Sequence, residues 1–414
     1  MKQNRILLIF LLAVLAGMPG LVAQDNLSPY SRYGYGNMRD NATSAQRAMG
    51  GVGYAMQSGR QINVMNPASY AAVDSLTFLF DMGMNFSSFK ASDAGNKTSN
   101  YGGGLDYITM LFPVSKIIGV SAGLLPYTST GYAFGDEISH GSSTFQGTGG
   151  INLLYAGVGV KPLVPGLTVG ANIAYMFGTT RNDNYVSTSA GSTSLFEREM
   201  EVRDYYLQFG VQYGLDIARD KHISVGFTYT PAKSLHGTAR AMIQDVTVAQ
   251  GPDTVQTLGL KGNYGMAASY GIGVGFNLAE RLKVEFDYTY QPWKNVKYTT
   301  LEGYEGTRFD DRWKVALGVE YTINPRGNYL QRINFRAGAY YDRDYIMIGD
   351  NHVMKRGLTC GFGLPAPKSK TVVNLGLEYF QRKATPDPLV KENYLMVTIG
   401  INFNQLWFMK SKIR

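Results

Sequence analysis

The chain has 414 residues, 44% hydrophobic and 13% aromatic with 29 tyrosines and 49 glycines, yet only 17% are charged. A soluble enzyme would carry more charge and a helical membrane protein more apolar residue, so neither class fits. The formal net charge of +8 is diffuse, with no basic run interleaved with aromatics, which argues against a nucleic-acid partner.

Lys2 and Arg5 precede the apolar run Ile6–Met18, and Gly20-Leu21-Val22-Ala23 supplies small residues for cleavage. Residues 1–23 therefore read as a secretory signal peptide. No cysteine follows the cleavage region, so lipoprotein anchoring is not expected. No later apolar run approaches the roughly 20 residues of a membrane helix. If this exported chain is a membrane protein, it has to close into a barrel, because an open sheet edge in lipid leaves backbone groups unpaired.

Residues 24–74 do not read as strands. Within them, 41–69 (NATSAQRAMGGVGYAMQSGRQINVMNPAS) joins a short helical pattern to a Gly50-Gly51 turn, a polar run around Arg60 and an Asn66-Pro67-Ala68 turn. We expect this segment to fold inward as a plug, with Arg47 or Arg60 reaching a carboxylate of the bore; Arg32 is a further candidate.

From residue 75 onward the pattern has period two, the signature of strands. Leu282, Val284, Phe286, Tyr288 and Tyr290 alternate with Lys283, Glu285, Asp287 and Thr289; Leu395, Val397, Ile399, Ile401 and Phe403 alternate with Met396, Thr398, Gly400 and Asn402. The segments number about fourteen and run longer than ordinary globular strands. Short connections such as Ser115-Lys116 and Ala279-Glu280 alternate with longer polar ones at 90–100, 134–144, 182–195, 236–256, 297–308, 346–354 and 385–392. The expected fold is all-β: a transmembrane antiparallel barrel spanning 75–414, with short turns and both termini periplasmic and the plug in its lumen.

Several residues stand out against that frame. Lys283, Glu285, Asp287, Lys314, Glu320, Arg336, Asp342 and Glu378 fall on neighbouring strands. Each would cost up to about 4 kcal/mol facing lipid, so they are expected to point inward. They form either a polar lining for a passage or a salt-bridge network that anchors the plug, since buried charges have to be paired. Pro126, within Leu125-Pro126-Tyr127, sits mid-span in the third strand, where proline cannot donate to the ladder; a simple bulge and a functional wall opening both fit. The histidines (His140, His222, His236, His352) are scattered without metal-ligand spacing, and the lone Cys360 forms neither disulfide nor cluster. Glycine-rich stretches such as Tyr101–Gly104 lack the following helix that phosphate cradling needs. No catalytic, cofactor or metal site is expected, and the chain is not read as an enzyme.

The order Ala45-Gln46-Arg47-Ala48-Met49-Gly50-Gly51-Val52-Gly53, a polar spacer, Asn66-Pro67-Ala68-Ser69, about fourteen strands and Pro126 together resemble the FadL-type long-chain fatty acid transporters of the outer membrane. Ser28–Gly36 is similar to the mature start of FadL-like proteins from Bacteroidetes. The resemblance spans the chain in layout and is sharpest over about residues 28–80. It implies an outer-membrane protein with a plug, or hatch, containing Arg47, Gly50, Gly51, Arg60, Asn66, Pro67 and Ala68. It also implies passive uptake of a hydrophobic ligand and its release into the membrane through a lateral opening at Leu125, Pro126 and Tyr127. The short loops, the charged bore and the basic tail Lys410–Arg414 keep an alternative open: a non-transporting accessory subunit of an outer-membrane secretion or assembly complex. Expected partners are accordingly outer-membrane lipid, a hydrophobic ligand or the proteins of such a complex.

Overall fold

A computed structural model describes residues 28–93, 96–246, 253–301, 306–367 and 369–406. The expected signal peptide and the basic tail lie outside the described residues. Fourteen antiparallel strands close into one barrel. In chain order they are β1 (Thr77–Asp93), β2 (Asn96–Pro113), β3 (Ile118–Pro126, resuming as Tyr132–Ile138), β4 (Gly141–Val160), β5 (Leu167–Thr188), β6 (Thr193–Ala218) and β7 (Lys221–Thr230, resuming as Gly237–Asp245). Then come β8 (Asp253–Gly259, resuming as Ser269–Leu278), β9 (Leu282–Gln291), β10 (Arg312–Thr322, preceded by Arg308–Phe309), β11 (Asn334–Ile348), β12 (Asn351–Pro365), β13 (Val372–Thr385) and β14 (Lys391–Leu406). The ring closes where β1 lies along β14, from Thr77 opposite Leu406 to Ser92 opposite Lys391.

Alternation decides which way each side chain points. On β9, Phe286 and Tyr288 are exposed while Glu285 and Asp287 are buried. The same division puts Leu154, Ile173, Phe209, Phe227, Ile272, Leu317, Leu358 and Leu395 outside, a continuous apolar belt that only lipid can cover without cost. Cys360 is exposed on that outer face. Among the described residues no helix is long and apolar enough to cross a membrane, so the crossing is made by strands.

The two ends of the barrel differ. One, the turn end, carries 114–117, 161–166, 219–220, 279–281, 323–333, 366–367 and 369–371 together with Leu406. At the other, the loop end, several expected long loops are strand: β1 and β2 are separated only by 94–95, and β11 and β12 only by Gly349-Asp350. Their residues are polar yet keep the ladder, because strands beyond the bilayer need hydrogen bonds but not apolar faces. The loops 260–268, 292–301 and 306–311 fold inward, so Leu260, Tyr264, Trp293, Leu301 and Phe309 are buried over the mouth.

The expected periplasmic termini lie outside the described residues, but the first described residue can be placed. Ser28, the first described residue, donates from its hydroxyl to Glu392 at 2.7 Å, at the start of β14. It therefore lies at the end of the barrel opposite Leu406, and the described chain does not begin and finish on the same side. The reason is local: the 3₁₀ turn Pro29–Arg32 is tied to the β13–β14 connection, where the Tyr30 hydroxyl accepts from the Ala384 and Val390 amides.

Candidate functional site

Residues 28–74 run from the loop end to the turn end against inward-facing side chains of the wall. Tyr35, fully buried, packs on Trp293, Tyr298 and Phe309. Its amide donates to the Tyr345 hydroxyl at 3.0 Å, and its own hydroxyl donates to the Gly265 carbonyl at 2.8 Å. Asn37–Met38 then pairs antiparallel with Thr128–Ser129. The helical turn Ser44–Arg47 begins at a capping box, in which the Thr43 amide donates to Gln46 Oε1 at 2.9 Å.

Gly50 and Gly51 both hold φ near +75° (76° and 75°). At Gly50 a Cβ would also stand 3.0 Å from the Leu317 carbonyl oxygen, so this turn needs glycine for backbone angle and for space. Asn66 caps the 3₁₀ helix Pro67–Ala72 by accepting from the Ala68 amide at 3.1 Å, and its side-chain amide donates to the Tyr54 carbonyl at 2.7 Å. The wall makes room here: a Cβ on Gly170 would lie 2.4 Å from the Pro67 carbonyl, and one on Gly210 2.0 Å from Asn66 Oδ1.

Most of the anticipated inner charges are brought together. Glu320 accepts from Lys283 and from Arg336, each at 2.7 Å. Asp342 pairs with Arg312 at 2.8 Å, and Lys314 reaches Asp40 of the N-terminal segment at 2.6 Å. Asp287 Oδ2 accepts from the Gly53 and Tyr54 amides at 2.7 and 3.1 Å. Glu378 accepts from the Tyr340 hydroxyl and lies 3.8 Å from Lys355. Glu285 is buried beside them, and its Oε2 has no hydrogen-bond partner among the described residues. Burial alone would push Asp40 up, but Lys314 and Arg312 hold its carboxyl well below the usual carboxylate range.

Arg47 reaches Asp106 of β2 at 2.7 Å, and Arg39 joins the same carboxylate at 2.6 Å. Arg60 does not reach the wall strands; it pairs with Asp74 at 3.6 Å, both largely in solvent at the turn end. Asp40, Asp106, Arg39 and Arg312 were not singled out from sequence. Period two could not have suggested Asp106, because it and the adjacent Tyr107 are both buried at a bulge opposite Gly83 and Met84.

Pro126 marks a break in the wall. β3 pairs with β2 only from Ile108 opposite Leu124 to Pro113 opposite Gly119. Beyond Pro126 the chain bends inward and β3 resumes at Tyr132, paired with β4 alone. Over Asn96–Tyr107, β2 has a ladder to β1 and none on its other side among the described residues. The bend is held from within: the Arg39 amide donates to the Tyr127 carbonyl at 3.0 Å and the Ser28 amide to the Gly131 carbonyl at 2.7 Å. Leu125 is buried, and Tyr127 packs on Tyr206 with ring centres 5.7 Å apart. Below the N-terminal segment, the turn end opens as a cavity of about 1000 Å³ lined by Gln57–Gln61 and the surrounding turns.

The family model BamG matches residues 1–414. The chain belongs to the BamG family. No curated protein matches the sequence. Solved structures give this BamG-family member its fold relatives. A Pseudomonas aeruginosa FadL homologue superposes with a TM-score of 0.62 at 11% identity, over 89% of this chain and 99% of that one. The P. putida toluene transporter TodX gives 0.61 at 15%, over 90% and 100%. The Ralstonia pickettii toluene transporter TbuX gives 0.58 at 16%, over 88% and 98%. At such identities the likeness is one of fold: the BamG-family chain shares the FadL-type barrel, an integral outer-membrane architecture.

Proposed function

We propose that the protein is an outer-membrane channel of FadL-like build for passive passage of a small hydrophobic compound. In this reading the loop end faces outside and the turn end the periplasm. Residues 24–74 act as the plug, and the ligand leaves sideways through the wall beside Leu125, Pro126 and Tyr127. The observation that carries the reading is the break itself. Backbone groups of a strand in lipid have to be paired, yet among the described residues β2 lacks a second neighbour along Tyr101–Tyr107, level with Leu395 of the apolar belt, while the N-terminal segment stitches the bend from inside. TodX and TbuX, with the same barrel, are named toluene transporters, which supports a hydrophobic substrate.

The test is uptake of a fluorescent hydrophobic naphthylamine by cells carrying the native chain or a variant lacking Tyr127–Gly131. Band-shift electrophoresis establishes that the shortened barrel is folded. Straightening the third strand should abolish protein-dependent uptake; unchanged uptake by a folded variant refutes the lateral route.

A second reading is a non-transporting subunit of an envelope complex. The inner charges pair with one another and with the N-terminal segment, and aromatic side chains close around Tyr35 at the loop end. That packing suits a scaffold as well as a channel. Stable co-purification with another barrel or a surface lipoprotein, with no protein-dependent uptake, would select it.

A further inference from the structure

We propose that the bowl at the turn end is a docking site for an acidic, extended peptide segment of a periplasmic protein. Four hairpins contribute cations to its rim: Arg219 and Lys221 between β6 and β7, Arg281 between β8 and β9, Arg326 and Arg332 between β10 and β11, and Lys370 between β12 and β13. None of these six forms an ion pair among the described residues, although the rim also holds the carboxylates Asp220 and Glu280. The other lining cations are paired locally, Arg60 with Asp74 and Lys283 with Glu320, and His222 lies 2.7 Å from Asp216. What remains, six cations against the two carboxylates Asp220 and Glu280, is a net positive ring around a cavity of about 1000 Å³ whose floor is the polar run Gln57–Gln61.

The geometry selects the occupant. The cations stand on separate turns rather than converging on one point, so one phosphate-sized anion could not engage them together. They also line a cavity floored by the N-terminal segment, inside the ring of strands, whereas bilayer headgroups meet the outer face. An extended chain of six residues spans at most about 20 Å and can place carboxylates on several turns at once. Charge complementarity of this kind steers association and weakens with salt. The inference holds whether or not the bore conducts.

The experiment uses the full mature chain in neutral-lipid nanodiscs and a rhodamine-labelled hexaglutamate peptide, with hexaserine as control. Hexaglutamate should bind, hexaserine should not, and raising the salt from about 50 to 300 mM should weaken binding at least tenfold. The combined variant Arg219→Glu, Arg281→Glu and Arg326→Glu should lose at least tenfold in affinity. Lys370→Glu alone, at an exposed turn residue, should lose severalfold and serves if the triple variant does not fold. Arg308→Glu, at the loop end, should leave binding unchanged. Equal binding by folded rim variants overturns the proposal. So does full displacement by millimolar inorganic phosphate, which would indicate a small-anion site, or by phosphatidylglycerol vesicles, which would indicate a lipid-headgroup surface.

Discussion

Asp106 offers the sharpest test of how the N-terminal segment is held. Its carboxylate is fully buried and faces Arg39 and Arg47, whose side chains are only 9% and 14% exposed. Asn85 also donates to it at 3.1 Å. Replacing Asp106 by Asn keeps the shape but leaves two buried guanidinium groups without a counter-charge. Breaking one side of a buried pair costs about 3–5 kcal/mol. The wall ladders are untouched, so the cost falls on the equilibrium between docked and released segment. At about 1.4 kcal/mol per tenfold, release should become more frequent by roughly two to three and a half powers of ten. The readout is the labelling rate of Ala48→Cys by a membrane-impermeant maleimide, in a Cys360→Ser background and in nanodiscs. Ala48 is 2% exposed, so reaction reports release. Asp106→Asn should accelerate labelling at least a hundredfold while the barrel keeps its folded band. Adding Arg47→Met should recover part of that, because one stranded charge is gone. A labelling rate within threefold of the parent, or strict additivity of the two substitutions, refutes the ion-pair latch.

Other expectations follow from the same contacts. Gly170→Leu should displace the Asn66-Pro67-Ala68 turn, since its Cβ would meet Pro67 backbone that cannot rotate away; overpacking of this kind costs about 1–3 kcal/mol or more. Planar-bilayer recordings should show raised leak from a still-folded barrel. Tyr35→Ala should cost about 3–5 kcal/mol at the loop end and make the 292–311 connection sensitive to protease. Asp40 tests the charge pairing through pH. Its carboxyl is held below its ordinary value of 3.8, so its stabilising contribution is complete above about pH 4 and is lost as pH falls through the depressed value. The thermal transition of the native chain should therefore drop more steeply below about pH 4 than that of Asp40→Asn.

The wall could be read from sequence because a lipid-facing strand has to alternate, and β9 does so residue by residue. Gly50-Gly51 and Asn66-Pro67 were equally readable, as backbone punctuation of a segment that was not strand. Partners were harder. Asp106 and Arg47 lie far apart in sequence, and no local pattern says which inward acid a given arginine will reach. Arg60 illustrates the converse: a nearby acid, Asp74, sits beside it where the segment emerges into solvent. Hairpin extents were misjudged because polar residues at the loop end looked like coil, although only the apolar faces stop at the bilayer boundary. The side on which the described chain starts was not legible for a related reason. Nothing local in Ser28–Tyr30 announces that it will bind Glu392 and Val390, residues from the far end of the sequence.

That starting side bears on how the molecule is assembled. A polypeptide that passes lengthwise through a ring before contributing that ring's first stave cannot be inserted after the ring is shut without pulling a free end through it. Residues 28–74 should therefore be seated, at least loosely, before β1 and β14 zip together. The junction from Thr77–Leu406 to Ser92–Lys391 is then the last seam to form, and a chain stalled at that step would carry its threaded leader already within an unsealed cylinder.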